Sequence, residues 1–176
     1  MEEVSLIQML DARERRVRHQ QELLAQYHKP LICFTMNICG PVKDSPLIRR
    51  GFARGCQLLR QQFLRAKLVP LREDAIREVT GCEAFYVLDA DPLTIKKFTT
   101  DIEDATPLGR LFDMDVIRPD GRKVDREELQ LAGRRCLICG GPAKVCSSRR
   151  VHTVAELQEK TTEILTEAQD AQDIAA

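Results

Sequence analysis

Leu108-Gly109-Arg110-Leu111-Phe112-Asp113-Met114-Asp115-Val116-Ile117 is a short segment whose apolar and acidic residues alternate with a period of two. In an extended chain Phe112, Met114 and Val116 face one side and Asp113 and Asp115 the other, with the two acidic Cα atoms about 6.6 Å apart. One face belongs to a core. Two carboxylates on the other face repel each other and resist burial, but they suit Mg²⁺ in phosphoryl or nucleotidyl transfer. Gly109 before the strand permits close backbone approach, and Arg110 supplies a planar cation for a phosphorylated group. An edge strand with a solvated polar face gives the same pattern, so the neighbouring segments must decide.

Upstream, Pro30 to Gly40 has the apolar, β-branched character of a buried strand. It leads into Gly40-Pro41-Val42-Lys43-Asp44-Ser45-Pro46, in which Ser45 is a helix cap and Pro46 the first helical residue. The predicted helix carries Ile48, Phe52, Cys56, Leu59 and Phe63 on one side. Lys43 in the loop, with Arg49 and Arg50 in the first turns, makes a physical recipe for holding phosphate at a helix N-terminus, and Asp44 beside them is a candidate substrate-binding residue. The glycine spacing is not that of a Walker A loop, and an ordinary β-to-α turn with a basic surface helix reads the same way.

Further strands are expected over 67–80 and 84–88, joined at Gly81, and Asp91-Pro92 starts a helix with Ile95, Phe98 and Ile102 inward. Asp89 would add a third carboxylate if its strand end lay beside the acidic pair. A Ser5-x-x-Gln8 capping box opens an amphipathic first helix with Ile7, Leu10, Val17, Leu24 and Tyr27 as its apolar positions, and Thr153-x-x-Glu156 opens the last. Pro119-Asp120-Gly121 is a turn. The order strand, helix, strand, strand, helix, strand predicts an α+β domain over residues 1–176. It has a mainly antiparallel sheet with helices on one face, the split βαβ arrangement also found in nucleotidyltransferase palms, plus N- and C-terminal helices.

The 27 Lys and Arg balance the 27 Asp and Glu, yet charge is segregated along the chain. Residues 1–72 carry a net +7, 73–115 a net −7, 116–152 a net +5 and 153–176 a net −5. Overall neutrality argues against a nucleic-acid-coating protein, while a cationic rim around an acidic centre suits a phosphorylated ligand. No apolar run is long enough to span a bilayer and the first residues lack a signal-peptide layout, so a cytoplasmic protein is expected, with seven reduced cysteines. Cys136-Leu137-Ile138-Cys139-Gly140-Gly141, with Cys146 and His152, makes residues 134–152 a candidate Cys₃His knuckle for structural Zn²⁺. Its second half fits no common finger spacing.

Pro30 to Thr35, Gly40 to Ser45, Arg49-Arg50, Pro107 to Val116 and Arg134-Arg135-Cys136-Leu137 together resemble the apo-citrate lyase phosphoribosyl-dephospho-CoA transferase family, the holo-acyl-carrier-protein synthases of citrate lyase. The Gly-Arg-Leu-Phe-Asp-Met-Asp-Val stretch is the most specific part. The resemblance implies transfer of a 2'-(5''-phosphoribosyl)-3'-dephospho-CoA group from its triphosphate precursor to a serine of the citrate lyase acyl carrier protein, with release of pyrophosphate. On that reading Asp113 and Asp115 hold Mg²⁺, while Lys43, Arg49, Arg50 and Arg110 neutralise the phosphates. Two alternatives stand beside it: the equivalent transferase for the malonate decarboxylase carrier, and a zinc-stabilised adaptor without catalysis.

Overall fold

Alternation in the acidic segment is realised as a strand, Phe112–Ile117, in which Phe112, Met114 and Val116 are buried and Asp113 and Asp115 are partly open. The computed structural model describes residues 2–174. In chain order its elements are α1 (Leu6–Tyr27), β1 (Leu31–Met36), α2 (Pro46–Arg65), β2 (Arg72–Glu78), β3 (Gly81–Val87), α3 (Pro92–Ala105), β4 (Phe112–Ile117), α4 (Ala143–Ser148) and α5 (Val154–Ile174). Short 3₁₀ turns occupy Gly109–Leu111 and Arg126–Leu129. No helix among the described residues is long and apolar enough to cross a membrane.

The four strands form one antiparallel sheet in the order β2-β3-β1-β4. The units β1-α2-β2 and β3-α3-β4 thus interleave, which is the split βαβ topology expected from the element order. β1 lies inside the sheet and Leu31, Ile32, Cys33 and Phe34 are all buried, because helices cover both faces. On one face Ile32, Phe34, Tyr86, Met114 and Val116 pack with Ile48, Phe52, Leu59 and Phe63 of α2, Ile95 and Ile102 of α3, and Ile164 and Leu165 of α5. On the other, Leu31, Cys33, Phe85, Val87 and Ile117 meet Leu23 and Leu24 of α1.

The caps read from sequence are formed. Ser5 and Gln8 make a reciprocal box, Ser45 accepts from the Ile48 N–H, and Asp91 accepts from the Thr94 N–H. The first half of α1 differs from expectation, since Ile7, Leu10 and Val17 are 72%, 47% and 49% exposed. Here α1 crosses the half of the sheet face that carries Asp113, Thr35 and Glu83, so its polar side turns inward. Arg16 pairs with Glu83 at 2.7 Å and His19 with Asp74 at 3.1 Å.

β4 lies at one edge of the sheet, and its outward backbone groups are satisfied without a fifth strand. Arg134 donates to the Phe112 carbonyl at 2.8 Å, Glu103 accepts from the Met114 N–H at 2.8 Å, Lys96 donates to the Met114 carbonyl at 3.5 Å and the Val124 N–H donates to Val116 at 2.8 Å. Glu103 is 2% exposed and also accepts from Arg126 at 2.6 Å and Arg134 at 2.5 Å. A buried carboxylate held by two guanidinium groups therefore fixes the strand that bears Asp113 and Asp115.

Candidate functional site

Because β4 is extended, Asp113 and Asp115 stand on the α1 side of the sheet, opposite Thr35 and Cys33 of β1. Asp113 lies in the wall of a cavity of about 170 Å³ closed by the start of α1 and the segment that follows β1. Arg13, Arg16, Thr35, Lys43 and Thr80 line the same cavity. Burial, and then the neighbouring charge of Asp115, raises the Asp113 carboxyl above its usual range, against the opposing pull of Arg134. Arg134 reaches Asp113 at 3.4 Å, and Lys123 pairs with Asp115 at 2.5 Å. Burial pulls Lys123 down, but the bond to Asp115 outweighs it and the ammonium is held above its ordinary value.

The Lys43 Nζ donates to the Ile38 carbonyl at 2.5 Å, and burial lowers its affinity for a proton, with Arg13 adding repulsion. Among the described residues neither Arg13 nor Lys43 is in an ion pair. Two cations facing one small cavity without a carboxylate partner form a preformed site for an anion. Arg16 is committed differently: burial lowers its pKa, but Glu83 more than compensates, so it stays fully charged.

Of the residues singled out in the sequence, Lys43 and Asp113 meet in this cavity, with Asp115 two positions along the strand. The others lie elsewhere. Asp44 and Arg49 make a two-pronged pair, at 2.7 and 2.6 Å, on a separate surface beside Arg77 and Glu78. Arg50 points to Gln169 of α5 at 2.6 Å. Arg110 donates to the Arg135 carbonyl and lines a cleft with Arg134, Arg135 and Arg150 rather than the cavity itself. Asp89 pairs with Lys29 at 2.6 Å, beyond the end of β3 where Val87 opposes Leu31, and so is remote from Asp113 at the Thr35 end. Gly109 serves packing: a Cβ there would sit 2.3 Å from the Ile102 carbonyl oxygen.

Arg13 and Arg16 escaped the sequence reading because helical periodicity treats arginines as the solvated face. The available signal was the spacing Ala12, Arg16, His19, Leu23, which puts both polar residues on the stripe of α1 that includes buried Ala12 and Leu23. Asn37 lines both the cavity and the arginine cleft, so the two are neighbours. The cleft encloses about 730 Å³ and its floor includes Leu137, Val154 and Leu157. An anion-binding cavity with an acidic strand beside a larger, partly apolar basic cleft suits a ligand with a phosphate chain at one end and a bulky group at the other.

Comparison with known proteins gives the family. Residues 4–168 match the model of the family described as apo-citrate lyase phosphoribosyl-dephospho-CoA transferase. A protein of that name from Citrobacter koseri is 33% identical over 165 residues, covering 94% of this chain and 90% of its own length. One from Shigella boydii is 32% identical over 162 residues, covering 92% and 88%. Haemophilus influenzae has a longer relative, "Protein CitXG", 34% identical over 157 residues; the match covers 89% of this chain but 34% of that protein. With residues 4–168 of its 176 matched to the family model, the chain belongs to the apo-citrate lyase phosphoribosyl-dephospho-CoA transferases, and it is an enzyme of the transferase class.

Proposed function

We propose that the chain transfers the 2'-(5''-phosphoribosyl)-3'-dephospho-CoA group from its triphosphate precursor to a serine of the citrate lyase acyl carrier protein, releasing pyrophosphate, in the cytoplasm. The observation that carries this reading is the meeting of Asp113 with Arg13 and Lys43, two cations without ion-pair partners, in one cavity. The serine hydroxyl releases its proton to solvent as its oxygen forms a bond to the α-phosphorus and the bond from that phosphorus to the bridging oxygen breaks. Pyrophosphate departs with the extra negative charge. Arg13 and Lys43 bind the β- and γ-phosphates and neutralise that charge as it develops. Arg16, anchored by Glu83, holds the α1 wall against the sheet and adds positive potential.

Asp113 and Asp115 are the residues that would hold Mg²⁺. They fit the ion in chemistry and placement, as two oxygen donors on one strand face; burial and then the charge of Asp115 raise Asp113, a penalty that a bound cation relieves. When bound, Mg²⁺ supplies Lewis-acid polarisation of phosphoryl oxygens. Lys123 occupies Asp115 when no cation competes for it. Arg134, beside Asp113, and Arg110 open onto the larger cleft, where the dephospho-CoA portion is placed.

Incubation of apo carrier protein, the triphosphate precursor and Mg²⁺ should add the mass of the prosthetic group to the carrier and release one pyrophosphate per carrier. Asp113→Asn should lower the rate at least about 100-fold, as loss of a charge-stabilising group does, with an unchanged circular dichroism spectrum. Full activity in Asp113→Asn and Asp115→Asn alike overturns the acidic site. Modification of the malonate decarboxylase carrier alone overturns the choice of carrier.

A further inference from the structure

We propose that Cys136, Cys139, Cys146 and His152 form a four-ligand structural zinc site that anchors the arginine-bearing segment of residues 130–152 beside the Asp113 cavity. The four ligand atoms all lie within 4.8 Å of one another, and the Cys139 and Cys146 sulfurs are 3.5 Å apart. A tetrahedral zinc with thiolate and imidazole ligands requires sulfur–sulfur separations of about 3.8 Å. The cluster is therefore assembled to within a small relaxation of that geometry.

A second observation points the same way. His152 Nε2 is buried and has no hydrogen-bond partner, an arrangement that costs free energy unless something binds the lone pair or proton. A third comes from the backbone. The Cys136 N–H donates to Gly141 at 2.7 Å and the Gly140 N–H to Cys136 at 3.2 Å, with Gly140 at φ +70°. This tight turn carries Cys136 and Cys139 on one side of a knuckle, while α4 supplies Cys146 and the residues after it bring in His152.

Apart from Leu137, which packs against the core, and the bonds of Arg126, Arg134 and Arg135 to the body of the fold, the segment has few tethers of its own. None of residues 125–160 is fully buried, and of these 36 positions Leu137 is the apolar side chain packed against the core. Metal coordination supplies the missing stabilisation in such knuckles. What it stabilises matters for the neighbouring site, because Arg134, Arg135 and Arg150 belong to this segment and line the cleft, and Arg134 also bonds Glu103 and Phe112. Zinc here is distinct from the cation that Asp113 and Asp115 would take: its ligands are sulfur and nitrogen, and theirs are oxygen.

The test is metal analysis of the full chain, produced with zinc in the medium and purified without a metal-affinity step. We expect about one zinc per chain, retained on dialysis and released by a thiol-modifying reagent. Cobalt substitution should give the visible bands of a tetrahedral thiolate complex in the wild-type protein, a readout independent of activity. The variants Cys139→Ser and His152→Ala should each lower zinc content at least fivefold and speed proteolytic cleavage within 130–152. Less than about 0.1 zinc per chain, with seven titratable thiols and no cobalt spectrum, overturns the site. So does a chain two mass units lighter, which would show a Cys139–Cys146 disulfide in place of the metal.

Discussion

Replacing Glu103 by alanine should destabilise the protein by about 3 kcal/mol. The carboxylate is 2% exposed and accepts three hydrogen bonds, from the Met114 N–H, Arg134 and Arg126. Its removal leaves the Met114 N–H orphaned on a buried strand, at a cost of about 1 to 3 kcal/mol. The arginines soften the rest of the loss. Arg126 keeps Asp104 at 2.8 Å, and Arg134 keeps the Phe112 carbonyl and is 28% exposed, so neither charge is stranded. The sum therefore falls at the lower end of the roughly 3 to 5 kcal/mol typical of a broken buried pair. For a chain of this size that corresponds to a fall in melting temperature of about 10 °C. Thermal unfolding followed by circular dichroism checks it, with Glu103→Gln, which preserves an acceptor, expected to lose about half as much. An alanine variant melting within about 2 °C of the parent refutes the assignment of Glu103 as the anchor of β4.

Gly109→Ala places a Cβ 2.3 Å from the Ile102 carbonyl oxygen and 2.8 Å from that of Glu103, so it should cost about 2 kcal/mol or more, readable as reduced urea resistance. Arg13→Ala should raise KM for the triphosphate precursor or lower kcat about 10- to 100-fold. Arg50→Ala, which loses only an exposed bond to Gln169, should change either by less than about twofold, and equal effects of the two would contradict the placement of the anion site. Asp113 binds its proton more tightly when folded than when unfolded. Its contribution to stability is thus present at low pH and lost as pH rises through the folded-state pKa. Asp113→Asn should accordingly be as stable as the parent at pH 7, or more so by a few tenths of a kcal/mol given the screening of a half-open carboxylate. A clear loss of stability on that substitution would show that the charge is needed for folding.

The features visible in the sequence are those set by neighbours in the chain. Phe112, Met114 and Val116 are buried and Asp113 and Asp115 are not, because strand geometry alone decides it. Ile48, Phe52, Leu59 and Phe63 share one stripe of α2 for the same reason, and Ser5, Ser45 and Asp91 cap their helices through contacts three residues away. The cavity depends on longer reach. Arg16 meets Glu83 across 67 positions, and nothing local says that the first half of α1 will lie over the polar half of a sheet face. The apolar positions Ile7, Leu10 and Val17 misled for that reason: helical period identifies a stripe but not what lies beneath it. Lys43 and Arg49, six residues apart, part company because Ser45 begins a helix between them and Asp44 takes the arginine. Asp89 follows the same rule, since strand register sends it to the opposite end of the sheet.

The sealed edge of β4 also limits how a carrier protein can be received. Its outward carbonyl and amide groups are occupied by Arg134, Glu103, Lys96 and the Val124 backbone. At the opposite edge β2 presents Arg72, Glu73, Asp74, Arg77 and Glu78 in a run of seven residues. One border is closed by hydrogen bonds, and the other is guarded by charged side chains against a foreign strand. Under the proposed function, strand addition at the β4 edge is closed to the carrier protein, whose docking there rests on side chains and surface shape.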